Sequence, residues 1–109
     1  MELASAIAGG RRAEVDFSGT VSSSPTFFYG TRTHCEHEQF NVSTSCGAIQ
    51  IIDNVDLAPR IPVQPGDRVD VRGEYVSDPG KGPIVHWTHH DPSGKHPDGF
   101  IRLHGQVYA

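Results

Sequence analysis

The stretch that decides the fold is RVDVRGEYVSDPGKGPIVHWTH, residues 68–89. In its first half Val69, Val71 and Tyr75 alternate with charged side chains, which is the period-two pattern of a strand with one buried face. The central SDPGKG combines proline and glycine, which favour a tight turn, and an apolar run follows it. The sequence therefore predicts a β-hairpin that places one face in the core.

The register of this hairpin decides which side chains meet across it. If the turn is centred on Gly80, His86 lies opposite Glu74, and Trp87 lies on the inward face. We expect His86 and Glu74 to form a polar pair on the outer face, with Thr88 on the same side. An ordinary solvated sheet face with one charge-assisted pair is the simplest interpretation of this arrangement.

Further strands are predicted on both sides of the hairpin. AEVDFSGTVSS, residues 13–23, alternates around Gly19 and predicts a strand with a glycine bend. EQFNVS and AIQIID, residues 38–43 and 48–53, predict a hairpin joined through TSCG. The inward-facing apolar residues of that hairpin are Phe40, Val42, Ile49 and Ile51. GFIRLHGQVYA, residues 99–109, predicts one strand or a bent pair of strands.

Three other segments lack strand alternation. NVDLAPRIPVQPGD, residues 54–67, contains three prolines and predicts an irregular connector, because proline cannot donate a ladder hydrogen bond. SSSPTFFYGTRTH, residues 22–34, predicts a long loop or a broken strand. ELASAIA near the N-terminus has helical character, and Gly9 and Gly10 end it.

Together these elements predict a single all-β domain over residues 1–109, in which residues 1–10 form a short helix or a disordered lead. The order of strand, hairpin, irregular connector and second hairpin resembles an oligonucleotide/oligosaccharide-binding (OB) barrel. We therefore expect a small, five- to six-stranded, OB-like antiparallel barrel with a short N-terminal helix. A β-sandwich is the alternative.

The acidic balance of the chain limits its partners. A net charge of −4 and a pI near 5.9 argue against a sequence-independent nucleic-acid binder, which presents a basic surface. No run approaches the roughly 18 apolar residues of a membrane span, and no P-loop or GxGxxG motif indicates a nucleotide cofactor. MELASAIAGG is a poor secretory signal. A cytoplasmic location stays open, as does a periplasmic or secreted one reached after removal of a signal.

The chain has two cysteines, Cys35 and Cys46. A hairpin that turns near Ser45 places Cys46 at its tip and Cys35 at its far end, beyond the separation that a disulfide permits. We expect two thiols, and a disulfide in an oxidising compartment is the alternative.

The densest cluster of polar residues is VHWTHHDPSGKHPDG, residues 85–99, which holds four of the seven histidines. Pro92 and the SGK that follows it force a turn, which folds the segment back on itself. The metal-ligand set that this turn predicts is His89 or His90 with Asp91 and His96.

A second set of polar residues is expected near one end of the barrel. The first hairpin places His37 near Asn54 and Glu38 near Asp53. The residues that we expect to bind a ligand are His37, Asn54, Asp56, Arg60, Glu74 and His86. Imidazoles and carboxylates that converge in this way fit Zn²⁺ or a similar divalent metal, and a metal-bound water can act as a nucleophile near neutral pH.

Three functions are compatible with these patterns. The first is a binding module whose His/Asp-rich end holds a divalent metal or a small polar ligand. The second is a metal-dependent hydrolase of the nuclease or phosphoesterase type, although the histidine spacing does not match HExxH. The third is binding of single-stranded nucleic acid or a glycan on the OB face, because the aromatic run of residues 27–29 can stack on bases or sugars.

Three blocks of the sequence carry a family resemblance: NVDLAPRIPVQPGDRVDVRGEY (54–75), IVHWTHHDPSGKHPDGFI (84–101) and GQVY (105–108). They resemble the small bacterial proteins grouped as domain of unknown function 3465, in the same order and at compatible spacing. The resemblance covers most of the chain from Gly19 onward. It implies a bacterial origin and an uncharacterised function, and it supplies no activity.

Overall fold

The structure is a computed structural model that describes residues 1–78, 80 and 82–109. Pro79 and Lys81, which belong to the predicted hairpin turn, lie outside the described residues. Within the described residues the elements are, in chain order, α1 (Leu3–Gly9), β1 (Ala13–Val21), β2 (Thr26–Gly30), β3 (Cys35–Thr44), β4 (Gly47–Asn54), β5 (Arg68–Asp78), β6 (Gly82–His86), β7 (Phe100–Leu103) and β8 (Gln106–Tyr108).

Five of these strands close into a barrel. They follow one another in the order β1, β3, β4, β6 and β5, and β5 pairs with β1 to complete the ring. Among the named strands the pairings are antiparallel, except that β4 and β6 run parallel. β2 extends the sheet beside β3, and β7 and β8 extend it beside β5. The predicted small all-β barrel with an N-terminal helix is confirmed, with additional strands and one parallel pairing.

β5 has the register that the sequence predicts. Glu74 pairs with His86 and Tyr75 pairs with Val85 across the β5–β6 hairpin. β1 occupies one edge of β5, while β6 and β7 share the other edge, on either side of Gly73. The chain therefore leaves β5's edge at the end of β6 and returns to the same edge in β7.

Most of the barrel interior is apolar, as the alternating pattern predicts. Val69, Val71 and Tyr75 of β5 are buried. The predicted inward face of the β3–β4 hairpin is confirmed, because its apolar residues Phe40, Val42, Ile49 and Ile51 are all fully buried. Leu3 and Ala6 of α1 join this core, so the helix covers part of the barrel.

The structure also tests the predictions for the N-terminal helix, for residues 22–34, for the C-terminal strands and for the two cysteines. α1 ends as expected, with Gly10 in the left-handed conformation at φ 63°. β2 is the strand within the segment predicted as a loop or broken strand, and β7 and β8 form the bent pair. Cys35 and Cys46 are both free thiols. In the described part of the chain, no helix is both long and apolar enough to cross a membrane.

Two expectations for the end of β6 are wrong. β6 ends at His86, and Trp87 takes a left-handed backbone conformation with φ 54°. Strand alternation therefore stops before it can turn the Trp87 ring inward, and the ring lies partly exposed outside the core. Thr88, expected on the outer face, is fully buried and donates a hydrogen bond to Asp53 over 2.8 Å.

Two carboxyl groups lie inside the barrel. Glu38 and Asp53 face each other across β3 and β4, as predicted, and both are fully buried. One oxygen of Glu38 accepts the Ile61 backbone N–H at 2.8 Å, and one oxygen of Asp53 accepts the Thr88 hydroxyl. The second oxygen of each has no partner among the described residues. Burial raises the pKa of Glu38 to about 7 and the pKa of Asp53 to about 6.

Because of this carboxyl pair, we expect the free energy of unfolding to fall as pH rises. Because folding raises the pKa of Glu38 from 4.5 to about 7, the folded state binds more protons than the unfolded chain within that interval. The contribution of the group is full below the unfolded pKa and is lost as pH rises through the folded pKa. We expect Glu38→Gln to remove about 2 kcal/mol of the decline in unfolding free energy between about pH 5 and about pH 8. Urea unfolding of the natural chain and of Glu38→Gln at these two pH values measures the difference. Equal declines in their unfolding free energies would contradict the prediction.

Candidate metal centre

Two glutamates meet on the outer face of the barrel, where β1 pairs with β5. Glu14 lies directly opposite Glu74 in the antiparallel register of these strands. The two side chains are 34% and 15% exposed. Like charges placed directly opposite each other destabilise a sheet, so this position favours a cation or a proton close to both carboxylates.

The loop from Trp87 to Gly99 brings the chain back to these glutamates. A Cβ atom at Gly99 would lie 2.1 Å from the carbonyl oxygen of Trp87, and one at Gly73 would lie 2.5 Å from the carbonyl oxygen of His86. Both distances are shorter than atoms can approach. Glycine at these two positions therefore lets the loop pack closely against β5.

Asp91 holds this loop in shape. Its carboxylate accepts hydrogen bonds from the backbone N–H groups of Ser93 at 2.9 Å, Lys95 at 3.1 Å and His96 at 2.8 Å. It also accepts the hydroxyl of Ser93. These bonds, above all those from Ser93, favour the charged form and lower the pKa of Asp91 to about 2. The backbone of His96 is thus fixed by a carboxylate five residues before it.

His96 points from the loop to the two glutamates. Its Nδ1 lies 2.8 Å from the carbonyl oxygen of Pro97, and because a carbonyl only accepts, Nδ1 carries a proton. The Nε2 atom lies 3.2 Å from Oε2 of Glu74 and 3.6 Å from Oε1 of Glu14. The His96 ring also stacks on Trp87, with 4.3 Å between ring centroids.

Glu14, Glu74 and His96 form the group that can hold a metal ion. Among the described residues they are the set of three whose ligand atoms all lie within 4.8 Å of one another. A zinc tetrahedron with bonds of about 2.1 Å has edges of about 3.4 Å. The Nε2 distances of 3.2 Å and 3.6 Å to the two carboxylates fall on either side of that value. These two distances are therefore compatible with a metal ion in place of the Nε2 proton.

Burial and the charges of neighbouring residues shift the pKa values of all three ligand residues. Burial raises the pKa of Glu14, and the neighbouring Glu74 adds to the rise. Burial alone would also raise the pKa of Glu74, but hydrogen bonds from His96 and His86 outweigh it and lower that pKa. Burial opposes the charged form of His96, yet the Pro97 carbonyl and the two glutamates raise its pKa. The buried Oε2 of Glu14 has no hydrogen-bond partner among the described residues.

His86 orients Glu74 from the opposite side. Its Nε2 lies 2.8 Å from Oε1 of Glu74, which leaves Oε2 directed to His96. Burial lowers the pKa of His86, so the neutral ring that donates to Glu74 is favoured. Arg12 adds a positive charge 3.5 Å from the same Oε1. The predicted His86–Glu74 pair is therefore present, and it supports a neighbouring site.

The four residues predicted as metal ligands are not assembled as one group. Asp91 uses its carboxylate to hold the loop. His89 is buried, and its Nδ1 donates to the carbonyl of His90 at 2.8 Å. His90 is exposed and bonds Asp98 at 2.8 Å. The turn folds the segment back as predicted but directs these side chains apart, and His96 is the member of the predicted set that reaches the glutamates.

Three of the predicted ligand-binding residues line a cleft beside the metal group. This cleft has a volume of about 210 Å³, and His37, Asn54 and His86 line it together with His89 and Trp87. His37 lies opposite Asn54 in the register that the sequence predicts. His86 therefore belongs both to this cleft and to the surroundings of Glu74.

Asp56 and Arg60 serve a different contact. The Asp56 carboxylate accepts the backbone N–H of Glu36 at 2.9 Å, and the Arg60 guanidinium pairs with the Glu36 carboxylate. Arg60 also lies over the Phe27 ring, 4.4 Å from its centroid. These contacts hold the irregular connector against the start of β3.

The sequence alone does not mark Glu14 as a site residue. The alternation in AEVDF places Glu14 on the outer face of its strand. This placement is the signal in the sequence that points to Glu14. Its position opposite Glu74 depends on the pairing of β1 with β5, two strands that are far apart in the chain. No local pattern specifies that pairing.

Removal of the Asp91 carboxylate tests how the loop is held. We expect Asp91→Ala to speed amide hydrogen exchange at Lys95 and His96 by at least about tenfold, because each N–H loses its acceptor. Exchange measured by NMR at each amide checks this, with the amides of β3 as the internal reference. Unchanged exchange at both amides would contradict the role assigned to Asp91.

Comparison with known proteins gives a family and no activity. The family model described as Protein of unknown function (DUF3465) matches residues 14–109. That range contains Glu14, Glu74 and His96, together with all strands after β1. A comparison with curated proteins finds no match.

Proposed function

We propose that this chain, which belongs to the DUF3465 family, is a binding module that holds one divalent metal ion, most favourably Zn²⁺. The description of the family assigns no function. The ligands are Glu14, Glu74 and His96. The observation that supports this proposal is the convergence of their ligand atoms within 4.8 Å from two strands and a loop.

The chemistry of the ligands favours zinc over the harder cations. Imidazole nitrogen with two carboxylates is a mixed set that suits Zn²⁺ and related transition metals, whereas Ca²⁺ and Mg²⁺ prefer oxygen ligands alone. Two glutamate charges with a neutral histidine balance the charge of one divalent ion. The Pro97 carbonyl fixes the His96 tautomer and His86 orients Glu74, as the hydrogen-bond partners of metal ligands do in zinc sites.

We also infer that residues 1–109 form one OB-type domain. The support is the closed order of β1, β3, β4, β6 and β5, with β4 and β6 parallel. The irregular connector between β4 and β5 stands where OB barrels have a helix between strands. The metal group lies on the outer surface of this barrel, beside the loop that follows β6.

Zinc titration of protein without a histidine tag tests the proposal. We expect isothermal calorimetry to give about one ion per chain, because the ligands form a single group. Trp87 is the only tryptophan and stacks on His96, so its fluorescence should change over the same titration. Absence of saturable zinc binding would contradict the proposal.

Substitutions separate this site from the histidine-rich loop as a whole. We expect Glu14→Gln and His96→Ala each to weaken zinc binding by at least about 100-fold, since each removes a direct ligand. His90→Ala is the matched control, because His90 is exposed on the same loop and bonds Asp98, and it should bind zinc as the natural chain does. Loss of binding in His90→Ala with retention in Glu14→Gln would contradict the ligand assignment.

The number of ligands favours a metal-dependent hydrolase as a second candidate. Three protein ligands leave the fourth position of a zinc tetrahedron for water, as in catalytic sites, and zinc lowers the pKa of such a water. Hydrolysis of bis(4-nitrophenyl) phosphate by the zinc-loaded protein, lost in His96→Ala, would support this activity. Zinc binding without turnover of this ester would support the binding module.

A further inference from the structure

The outer face of β3 and β4 forms an open groove with a volume of about 630 Å³. Its floor consists of alternate residues, Gln39 and Asn41 from β3 and Gln50 and Ile52 from β4. These residues are paired across the two strands, Gln39 with Ile52 and Asn41 with Gln50. The groove is therefore a regular sheet surface with a fixed backbone.

Apolar side chains stand at the two sides of this floor. Phe28 lies on β2, which flanks β3, and Pro83 lies on β6, which flanks β4. The Phe28 ring stacks on His37 with 5.2 Å between centroids and remains 39% exposed. The groove thus combines an accessible aromatic ring with a polar floor, and its volume falls within the range of small-molecule sites.

The polar groups of the floor are uncharged and available. None of the described residues that line the groove is ionisable. The side-chain amides of Gln39, Asn41 and Gln50 make no hydrogen bond among the described residues. Each amide offers both a donor NH₂ and an acceptor oxygen, so the floor presents three neutral donor–acceptor pairs side by side.

We propose that this groove binds a neutral oligosaccharide. Vicinal sugar hydroxyls both donate and accept, so they complement the amides of Gln39, Asn41 and Gln50. The apolar C–H face of a pyranose ring complements the exposed Phe28 ring. A single-stranded nucleic acid needs cations at its phosphates, and the described residues of the lining supply none, in a chain of net charge −4. None of the described residues that line the groove belongs to the metal group.

NMR titration with three neutral trisaccharides tests the proposal. Cellotriose, maltotriose and N,N′,N″-triacetylchitotriose are added separately to ¹⁵N-labelled protein, into the millimolar range typical of weak binding. We expect saturable shifts of the Gln39, Asn41 and Gln50 side-chain NH₂ signals with at least one sugar. The double substitution Gln39→Ala with Gln50→Ala should weaken that binding by at least about tenfold, because it removes two of the hydrogen-bonding amides.

A control substitution and a competing ligand make the result specific. Gln106→Ala removes an exposed amide from β8 and should leave sugar binding unchanged. The proposal is overturned if none of the three sugars shifts the groove signals. It is also overturned if oligothymidylate shifts them and the sugars do not, which would assign the groove to single-stranded nucleic acid.

Discussion

The division of one edge of β5 between two strands is the constraint on which the rest of the structure depends. β1 occupies the other edge and closes the barrel, so β6 and β7 must share what remains. Gly73 marks the division, and the absence of a Cβ atom there lets the His86 carbonyl approach. The chain between β6 and β7 is consequently fixed at both ends beside Glu74. Both ends of the loop that carries His96 therefore lie beside β5.

This constraint explains why the site is built from one loop and two strands. The closure of the barrel places Glu14 opposite Glu74, an unfavourable pair of like charges unless a cation lies near them. The loop supplies His96, whose direction is fixed by Asp91 through its backbone and by Pro97 through its ring. With the ring protonated, His96 bridges the carboxylates itself, and with the ring neutral it offers Nε2 to a metal. The same arrangement of Glu14, Glu74 and His96 therefore suits both the protonated histidine and the neutral histidine that offers Nε2 to a metal.

Local pairing could be predicted from the sequence, and long-range pairing could not. The hairpin registers that place Glu74 opposite His86 and Glu38 opposite Asp53 follow from a period of two and a short turn. The partner of Glu14 follows from barrel closure, which no short pattern encodes. The prediction for Trp87 was wrong because it extended the strand alternation by one residue, into a position with left-handed φ. Within the 85–99 motif, the use of Asp91 to accept backbone N–H groups depends on the loop conformation, and composition alone does not distinguish it from a metal ligand.

Anomalous diffraction at the zinc absorption edge, from crystals grown with equimolar zinc, measures the central claim most directly. We expect one peak about 2.1 Å from a carboxylate oxygen of Glu14, a carboxylate oxygen of Glu74 and Nε2 of His96. A peak between His90 and Asp91, or a zinc ion that does not contact Glu14, would contradict the assignment of the site.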